Sequence, residues 1–182
     1  MVDKCSFQPL PLSPMIPTVI SGTARNDSNS LKIARLYQRL MSERLGKEVD
    51  LLSLHDVNVW ERGVEMLLLE RHLLVPATHF IFVIPEYNGS FPGILKTMID
   101  NSDIKSCWWG KKALLTGIAE GRAGNLRGMD HMSTILQYLR MDVYWDKLPL
   151  SRISDELDGD GNLLMSGTRE LINAQISGFL SN

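Results

Sequence analysis

Short apolar runs alternate along this chain with longer segments whose apolar residues recur at helical spacing. Such an alternation predicts an α/β fold with a mainly parallel sheet. Five runs have the length and composition of strands, and they span residues 16–21, 49–54, 78–84, 112–117 and 142–145. The run THFIFVI at 78–84 is apolar almost throughout, as expected of a parallel strand that is buried on both faces.

Five further segments have the periodicity of helices, and they span residues 28–45, 61–74, 92–101, 125–141 and 168–180. Gly46 is suited to end the first helix, and Pro92 can occupy the first turn of the third. Five strands that alternate with five helices in 182 residues favour a three-layer, flavodoxin-like α/β fold. We therefore predict a doubly wound, five-stranded parallel sheet with the strand order 2-1-3-4-5.

No internal repeat, low-complexity block or linker divides the sequence, so residues 1–182 are predicted to form a single domain. The beginning of the chain is rich in proline, and we expect residues 1–15 to form an extended or disordered N-terminal tail. The composition, 44% hydrophobic and 22% charged, is that of an ordinary globular protein.

The formal net charge is −2 and the basic residues are scattered, which argues against nucleic acid or an anionic membrane as the main partner. The two cysteines, Cys5 and Cys107, form no close pair, which favours a reducing compartment. No apolar run approaches the roughly eighteen residues of a membrane span. These features predict a cytoplasmic protein.

In doubly wound sheets, ligands bind beyond the carboxyl ends of the strands, where the strand order reverses. The loop at 21–30 follows the first strand and precedes a helix, whose amino terminus attracts phosphate. Thr23, Ser28 and Ser30 can donate hydroxyl protons there, and Arg25 can add a charge-assisted bond. The same residues also suit a helix cap without any ligand, because Ser and Asp are favoured at that position.

The loop at 84–93, IPEYNGSFPG, follows the third strand. Gly89 permits backbone angles that other residues avoid, so the chain can press its amides against a flat ring. Tyr87 and Phe91 can supply aromatic walls. A plain strand-to-helix turn is the alternative, since Asn-Gly is a common turn dipeptide.

Several familiar sites are absent from the sequence. No G-x-G-x-x-G follows the first strand, and no phosphate-binding G-x-x-x-x-G-K-[ST] motif occurs. The four histidines lack the spacing of metal ligands on a helix, and there is no G-x-S-x-G elbow of a serine hydrolase. We therefore predict no metal site. The missing motifs also argue against a serine hydrolase.

The segment PEYNGSFPGILKTMID resembles the P-E-Y-N-G-S-x-P-G-x-L-K-N-x-I-D signature of the NAD(P)H-dependent FMN reductase family, which includes chromate and quinone reductases. The first loop is similar to the G-S-x-R-x-x-S phosphate loop of that family and reads Gly22-Thr23-x-Arg25-x-x-Ser28, with threonine in the serine position. The order and separation of the two motifs also agree. The similarity covers residues 19–148.

The resemblance implies FMN across the ends of the strands. The residues expected to hold its phosphate are Thr23, Arg25, Ser28 and Ser30. Those expected to line the isoalloxazine ring, largely through main-chain groups, are Pro85, Glu86, Tyr87, Asn88 and Gly89. In the loop after the fourth strand, Thr116 and Gly117 are carried over as cofactor-binding residues. The inserted Glu120 and Arg122 either pair, contact the nicotinamide nucleotide or face water.

The resemblance further implies an oxidoreductase in which NADPH or NADH reduces FMN. A small acceptor such as a quinone, an azo compound, chromate or free flavin then takes the electrons. The cofactor carries this chemistry, which agrees with the lack of an acid–base pair. A homodimer or homotetramer is expected by the same resemblance. Two alternatives remain: a non-enzymatic FMN electron carrier, and a binding module on the same fold that lacks flavin.

Overall fold

The computed structural model describes residues 14–182, which form one parallel sheet covered by helices on both faces. Its strands are β1 (Pro17–Ser21), β2 (Asp50–Ser53), β3 (His79–Pro85), β4 (Lys112–Ile118), β5 (Asp142–Val143) and β6 (Leu148–Leu150). The order β2-β1-β3-β4-β5 confirms the predicted flavodoxin-like topology. Residues 1–13, which include Cys5 and most of the predicted tail, lie outside the described residues.

The fifth strand differs from the prediction, because two short strands share its place beside β4. β5 pairs with the beginning of β4 at Lys112, and β6 pairs with the end of β4 at Ile118. Between β5 and β6 the chain leaves the sheet, and the Asp146 carbonyl accepts a hydrogen bond from the Gln175 side chain at 2.7 Å. Pro149 in β6 has no N–H to donate, which an edge position tolerates.

The helices are α1 (Asn29–Leu45), α2 (Val64–Leu69), α3 (Gly93–Asn101), α4 (Ile104–Trp108), α5 (Leu126–Tyr138), α6 (Ile153–Glu156) and α7 (Ser166–Ser181). α2 continues into a π-helical turn at Glu70–Leu74. The short helices α4 and α6 were not predicted, since four or five residues are too few to show a helical period. None of the described helices is both long and apolar enough to cross a lipid bilayer.

Alternate residues of the central strand β3 pack into two separate cores. Phe80 and Phe82 point to the core that also holds Trp108, whereas Ile81 and Val83 point to the core beneath α1 and α7. This arrangement explains the continuous apolar run in β3, because neither of its faces meets water. Trp108, whose sequence position fits either a core or an interface, is fully buried within the chain.

A buried polar network joins β4 to α1 and α7. The Thr116 hydroxyl donates to the Tyr37 hydroxyl at 2.7 Å, and Tyr37 donates to Gln175 Oε1 at 2.6 Å. The Gln175 amide donates in turn to the Leu115 carbonyl at 3.1 Å. Burial raises the pKa of Tyr37 well above its usual range, so the hydroxyl keeps its proton. The network aligns the carboxyl half of β4 with the helices beside it.

We expect Tyr37→Phe to lower the free energy of unfolding by about 1–3 kcal/mol, because Thr116 and Gln175 would each lose a buried partner. Urea unfolding followed by circular dichroism measures the change. Tyr138→Phe is the matched control, since Tyr138 is 84% exposed. Equal stability of the two variants would contradict a stabilising role for the network.

Candidate functional site

The carboxyl ends of β1, β3 and β4 meet at one edge of the sheet, and a cavity of about 330 Å³ lies between the loops that follow them. Seven of the predicted cofactor-binding residues line this cavity: Thr23, Arg25, Ser28, Ser30, Pro85, Glu86 and Tyr87. The remaining walls come from Asn26, Asp27 and Asn29, from the residues that follow Gly117, and from Ile153 of α6. The parallel sheet therefore brings together two loops that are about sixty residues apart in sequence.

Contacts between Thr23, Arg25 and Tyr87 connect the first loop to the second. Thr23 is buried, and its hydroxyl oxygen lies 2.6 Å from the hydroxyl oxygen of Tyr87. The Arg25 N–H donates to the Thr23 hydroxyl at 3.1 Å, and the Arg25 guanidinium carbon lies 4.4 Å from the centre of the Tyr87 ring. A guanidinium over an aromatic face is an attractive arrangement. The cluster holds a positive charge beside the cavity.

The amino terminus of α1 faces the same space. Ser28 is the N-cap of α1, and its hydroxyl accepts a hydrogen bond from the Leu31 N–H at 3.1 Å. The capping role considered for Ser28 is therefore present, although Ser28 also lines the cavity. The N–H groups of Asn29 and Ser30 have no partner within the helix, because they belong to its first turn. Such a helix end is suited to an anion.

The second loop contains a tight turn at Asn88 and Gly89, which both have positive φ, 52° and 76°. Tyr87 and Ser90 exchange backbone hydrogen bonds across the turn, with N···O distances of 2.8 and 3.1 Å. Asn-Gly is the dipeptide that such a turn prefers. A Cβ atom at position 89 would lie only 2.9 Å from Arg127 Nη1. Asn88 and Gly89 thus continue the wall formed by Tyr87, although they do not themselves line the cavity.

Two residues of α5 support this turn. His131 Nδ1 lies 2.9 Å from the Ser90 hydroxyl oxygen, and the Arg127 guanidinium lies beside Gly89. The sequence does not indicate these two roles, because a contact between a helix and a distant turn leaves no local pattern.

Thr116 and Gly117 lie at the cavity edge of β4, but neither lines the cavity. The Thr116 hydroxyl is turned inward to Tyr37, and the whole residue is buried between β3 and β6. At Gly117 a Cβ atom would lie 2.3 Å from the Gly124 carbonyl oxygen, so the third loop packs directly on its Cα. The predicted binding roles of these two residues stay predictions.

Asn125 holds the third loop in place and was missed as a site residue. It is fully buried with a φ of 63°, and its side-chain amide donates to the Ile84 carbonyl at 2.9 Å. Its amide oxygen accepts from the Gly128 N–H at 3.1 Å and thereby caps α5. Asn is one of the few residues that adopt the left-handed region readily. The pair Gly124-Asn125 was therefore an available indication in the sequence, because both residue types favour the left-handed region.

Glu120 is exposed, and its carboxylate binds residues other than Arg122. Its carboxylate accepts hydrogen bonds from the Ser154 hydroxyl at 2.9 Å and from the Asn29 side-chain amide at 3.2 Å. This bridge joins the third loop to α6 and to the start of α1 at the rim of the cavity. No group of three His, Cys, Asp or Glu side chains among residues 14–182 is close enough to hold a metal ion.

The donors present fit a phosphate ester with an attached ring. Hydroxyl groups, a guanidinium and free helix N–H groups surround one end of the cavity. Main-chain groups of Pro85, Glu86 and Tyr87 form another wall, and the Glu86 N–H is bonded to the Ile118 carbonyl at 2.8 Å. The donor set is therefore compatible with FMN.

Comparison with known proteins supports this fit. The model of the NADPH-dependent FMN reductase family matches residues 17–151. An NAD(P)H-dependent FMN reductase of Pseudomonas aeruginosa is 29% identical over 168 residues, which are 86% of this chain and 89% of the relative. A 2-hydroxy-1,4-benzoquinone reductase of a Burkholderia species is 26% identical over 163 residues, 85% of this chain and 88% of the relative.

The fold is also shared with solved structures. The flavoenzyme FerB of Paracoccus denitrificans, an NAD(P)H:(acceptor) oxidoreductase, superimposes with a TM-score of 0.76 at 22% identity. The superposition covers 92% of this chain and 96% of FerB. The chain therefore belongs to the NADPH-dependent FMN reductase family, which confirms the resemblance, the FMN cofactor and the oxidoreductase class predicted from its sequence.

Proposed function

We propose that this protein binds FMN in the cavity at the carboxyl edge of the sheet and uses NAD(P)H to reduce a small quinone through it. The observation that carries the proposal is the convergence of the α1 amino terminus, the Thr23 hydroxyl and the Arg25 guanidinium on one cavity. The quinone is favoured among the possible acceptors because one similar protein is a 2-hydroxy-1,4-benzoquinone reductase.

The phosphate is held at the start of α1. Thr23, Ser28 and Ser30 donate hydroxyl protons to it, and the free N–H groups of the first helical turn add main-chain donors. Arg25 supplies the positive charge and leaves the face of Tyr87 to do so, since its side chain borders the cavity. The N-terminal partial charge of a helix as long as α1 adds to this attraction.

The ring system is held by the second and third loops. Pro85, Glu86 and Tyr87 present the main chain at the cavity wall, and the turn at Asn88 and Gly89 extends that surface. Thr116 and Gly117 act indirectly, because they position Ile118, which lines the cavity. Main-chain groups at the turn of Asn88 and Gly89 would supply fixed dipoles to the bound ring.

When bound, FMN supplies the hydride acceptor and the electron donor of the reaction, so the protein needs no nucleophile or metal. The side chains have to hold, orient and shield the cofactor. Asn125 and Glu120 do so indirectly, because their hydrogen bonds fix the third loop against β3 and α6.

Two further expectations remain proposals: a cytoplasmic location, and assembly into a homodimer or homotetramer. An apolar groove between α3 and α5 supports the assembly, since Ile104 is 44% exposed and Tyr138 84% exposed there. Exposed apolar surface of this kind favours a protein contact.

Purified protein reconstituted with FMN is expected to bind it stoichiometrically and to oxidise NADPH or NADH in the presence of menadione. Absorption spectroscopy measures the first property, and loss of nucleotide absorbance at saturating menadione measures the second. Flavin binding without nucleotide oxidation would favour the electron carrier. Absence of flavin binding would favour the binding module.

Arg25→Ala is expected to weaken FMN binding by about 1.5–3 kcal/mol, the scale of a hydrogen bond to a charged group. Titration of apo-protein by quenching of flavin fluorescence measures the affinity. Arg35→Ala is the matched control, because Arg35 is an exposed arginine of α1 outside the cavity. Arg25→Lys should recover part of the lost FMN affinity, since lysine keeps the positive charge but cannot donate the paired hydrogen bonds of a guanidinium. Equal affinities of Arg25→Ala and Arg35→Ala would remove Arg25 from the phosphate site.

Thr116→Val distinguishes a role of the Thr116 hydroxyl in the buried network from a contact of that hydroxyl with FMN. The variant should lower the free energy of unfolding by about 1–3 kcal/mol, because Tyr37 and Gln175 lose a buried partner. Its effect on FMN affinity should be much smaller than that of Arg25→Ala, since the hydroxyl faces away from the cavity. A large loss of affinity with intact stability would show instead that the hydroxyl reaches the cofactor.

A further inference from the structure

A second cavity of about 370 Å³ adjoins the first. Arg25 and Tyr87 line both cavities, so the two spaces are neighbours across these side chains. The other walls of the second cavity are Trp60, from the segment between β2 and α2, and Pro92 and Ile94 at the start of α3. Among the residues that line it, Trp60 lies outside the two segments on which the family resemblance depends. We call this space the Trp60 cavity.

The Trp60 indole is 67% exposed, although the segment that carries it is firmly tied to the protein. Its backbone N–H donates to the Asn58 side chain at 3.1 Å, and the Asn58 N–H donates to Glu65 Oε2 at 2.8 Å. The neighbouring Val59 is fully buried, and its carbonyl accepts from Asn101 Nδ2 at 2.8 Å. The backbone immediately before Trp60 is therefore fixed, while the indole faces solvent.

The chain after Trp60 is fixed as well. Arg62 makes a two-pronged pair with the buried Glu70, with distances of 2.6 and 3.0 Å from its nitrogens to the carboxylate oxygens. Glu70 Oε1 also accepts from the Asp103 N–H at 2.6 Å. On the other side of the segment, His55 Nδ1 lies 2.9 Å from the Ala24 carbonyl, which joins it to the first loop. The backbone that carries Trp60 therefore needs no ordering when a ligand binds, which lowers the entropic cost of binding.

The walls of the cavity suit a flat, apolar ring. Trp60 and Tyr87 offer aromatic faces, and Pro92 and Ile94 offer apolar surface. None of the described residues that line it carries a carboxylate. Its volume is at the lower end of the range for small-molecule sites, roughly 300–1,000 Å³, and suits a bicyclic ring better than a dinucleotide.

We propose that the Trp60 cavity binds the ring of the quinone acceptor and that Trp60 determines the preference for flat acceptors. The inference rests on the proposed function, since the cavity has a role in turnover only if FMN occupies the neighbouring one. In the overall reaction NAD(P)H, one proton from solvent and the quinone give NAD(P)⁺ and the hydroquinone. The reaction therefore balances without a further reactant.

The experiment compares two acceptors in the FMN-loaded protein. Menadione is flat and aromatic, whereas ferricyanide takes electrons one at a time and needs no stacking surface. In Trp60→Ala, the KM for menadione should rise about five- to tenfold, the scale of a lost aromatic contact. The ratio of kcat/KM for menadione to that for ferricyanide should fall by a similar factor. Trp60→Phe should restore most of this ratio, since it keeps an aromatic face.

Trp145→Ala is the matched control, because Trp145 is 77% exposed and lines neither cavity. It should leave the ratio as in the parent protein. Binding of menadione without NAD(P)H, measured by calorimetry on the FMN-loaded parent and Trp60→Ala, provides a readout that is independent of turnover. The affinity should fall by the same five- to tenfold factor, about 1–1.4 kcal/mol.

Three outcomes would overturn the proposal. The menadione-to-ferricyanide ratio could be the same in Trp60→Ala and Trp145→Ala, or menadione could bind both with parent affinity. A rise in the KM for NAD(P)H without a change for menadione would assign the cavity to the nucleotide instead. Loss of FMN binding or of NAD(P)H oxidation in the parent protein would refute the proposed function, and this result is distinguishable from the other three.

Discussion

The parallel pairing of β1, β3 and β4 is the constraint on which the rest of this structure depends. The strands run in register from Pro17 beside His79 to Ser21 beside Val83, and Val83 lies beside Thr116. Because the strands are parallel, their carboxyl ends reach the same edge of the sheet, and each must be followed by a loop there. Three loops from distant parts of the sequence therefore surround one cavity, whatever residues they carry.

The contacts between these loops use groups that the fold already requires. Ser28 caps α1 and faces the cavity, and Asn125 caps α5 while it binds the Ile84 carbonyl. Gly117 lets the third loop pack on β4 because a Cβ atom there would collide with the Gly124 carbonyl. A capping role and a position at the cavity therefore do not exclude each other. In the structure the Ser28 side chain has both.

Local patterns were sufficient to predict the strand order, the long helices and seven of the residues that line the cavity. They did not predict Asn26, Asp27 and Asn29, which also line it. The phosphate loop and PEYNGS are continuous segments, so their chemistry can be recognised without knowledge of the fold. The division of the fifth strand into β5 and β6 was not predicted, and the chain between them is bound by Gln175, which is far along the sequence. The inward orientation of Thr116 and the bridge from Glu120 to Ser154 depend likewise on distant partners.

The two cavities differ in the groups that form their walls. Around the first, the N–H groups at the start of α1 are main-chain donors, and these exist with almost any side chain. The second cavity is lined by Trp60, so a single substitution at position 60 removes an aromatic face from its wall. The segment that carries Trp60 is anchored through Val59 and through the pair of Arg62 with Glu70 rather than through Trp60 itself. In the proposed function, a change at position 60 therefore alters the acceptor preference, while the cavity proposed for FMN and the fold that supports it stay the same.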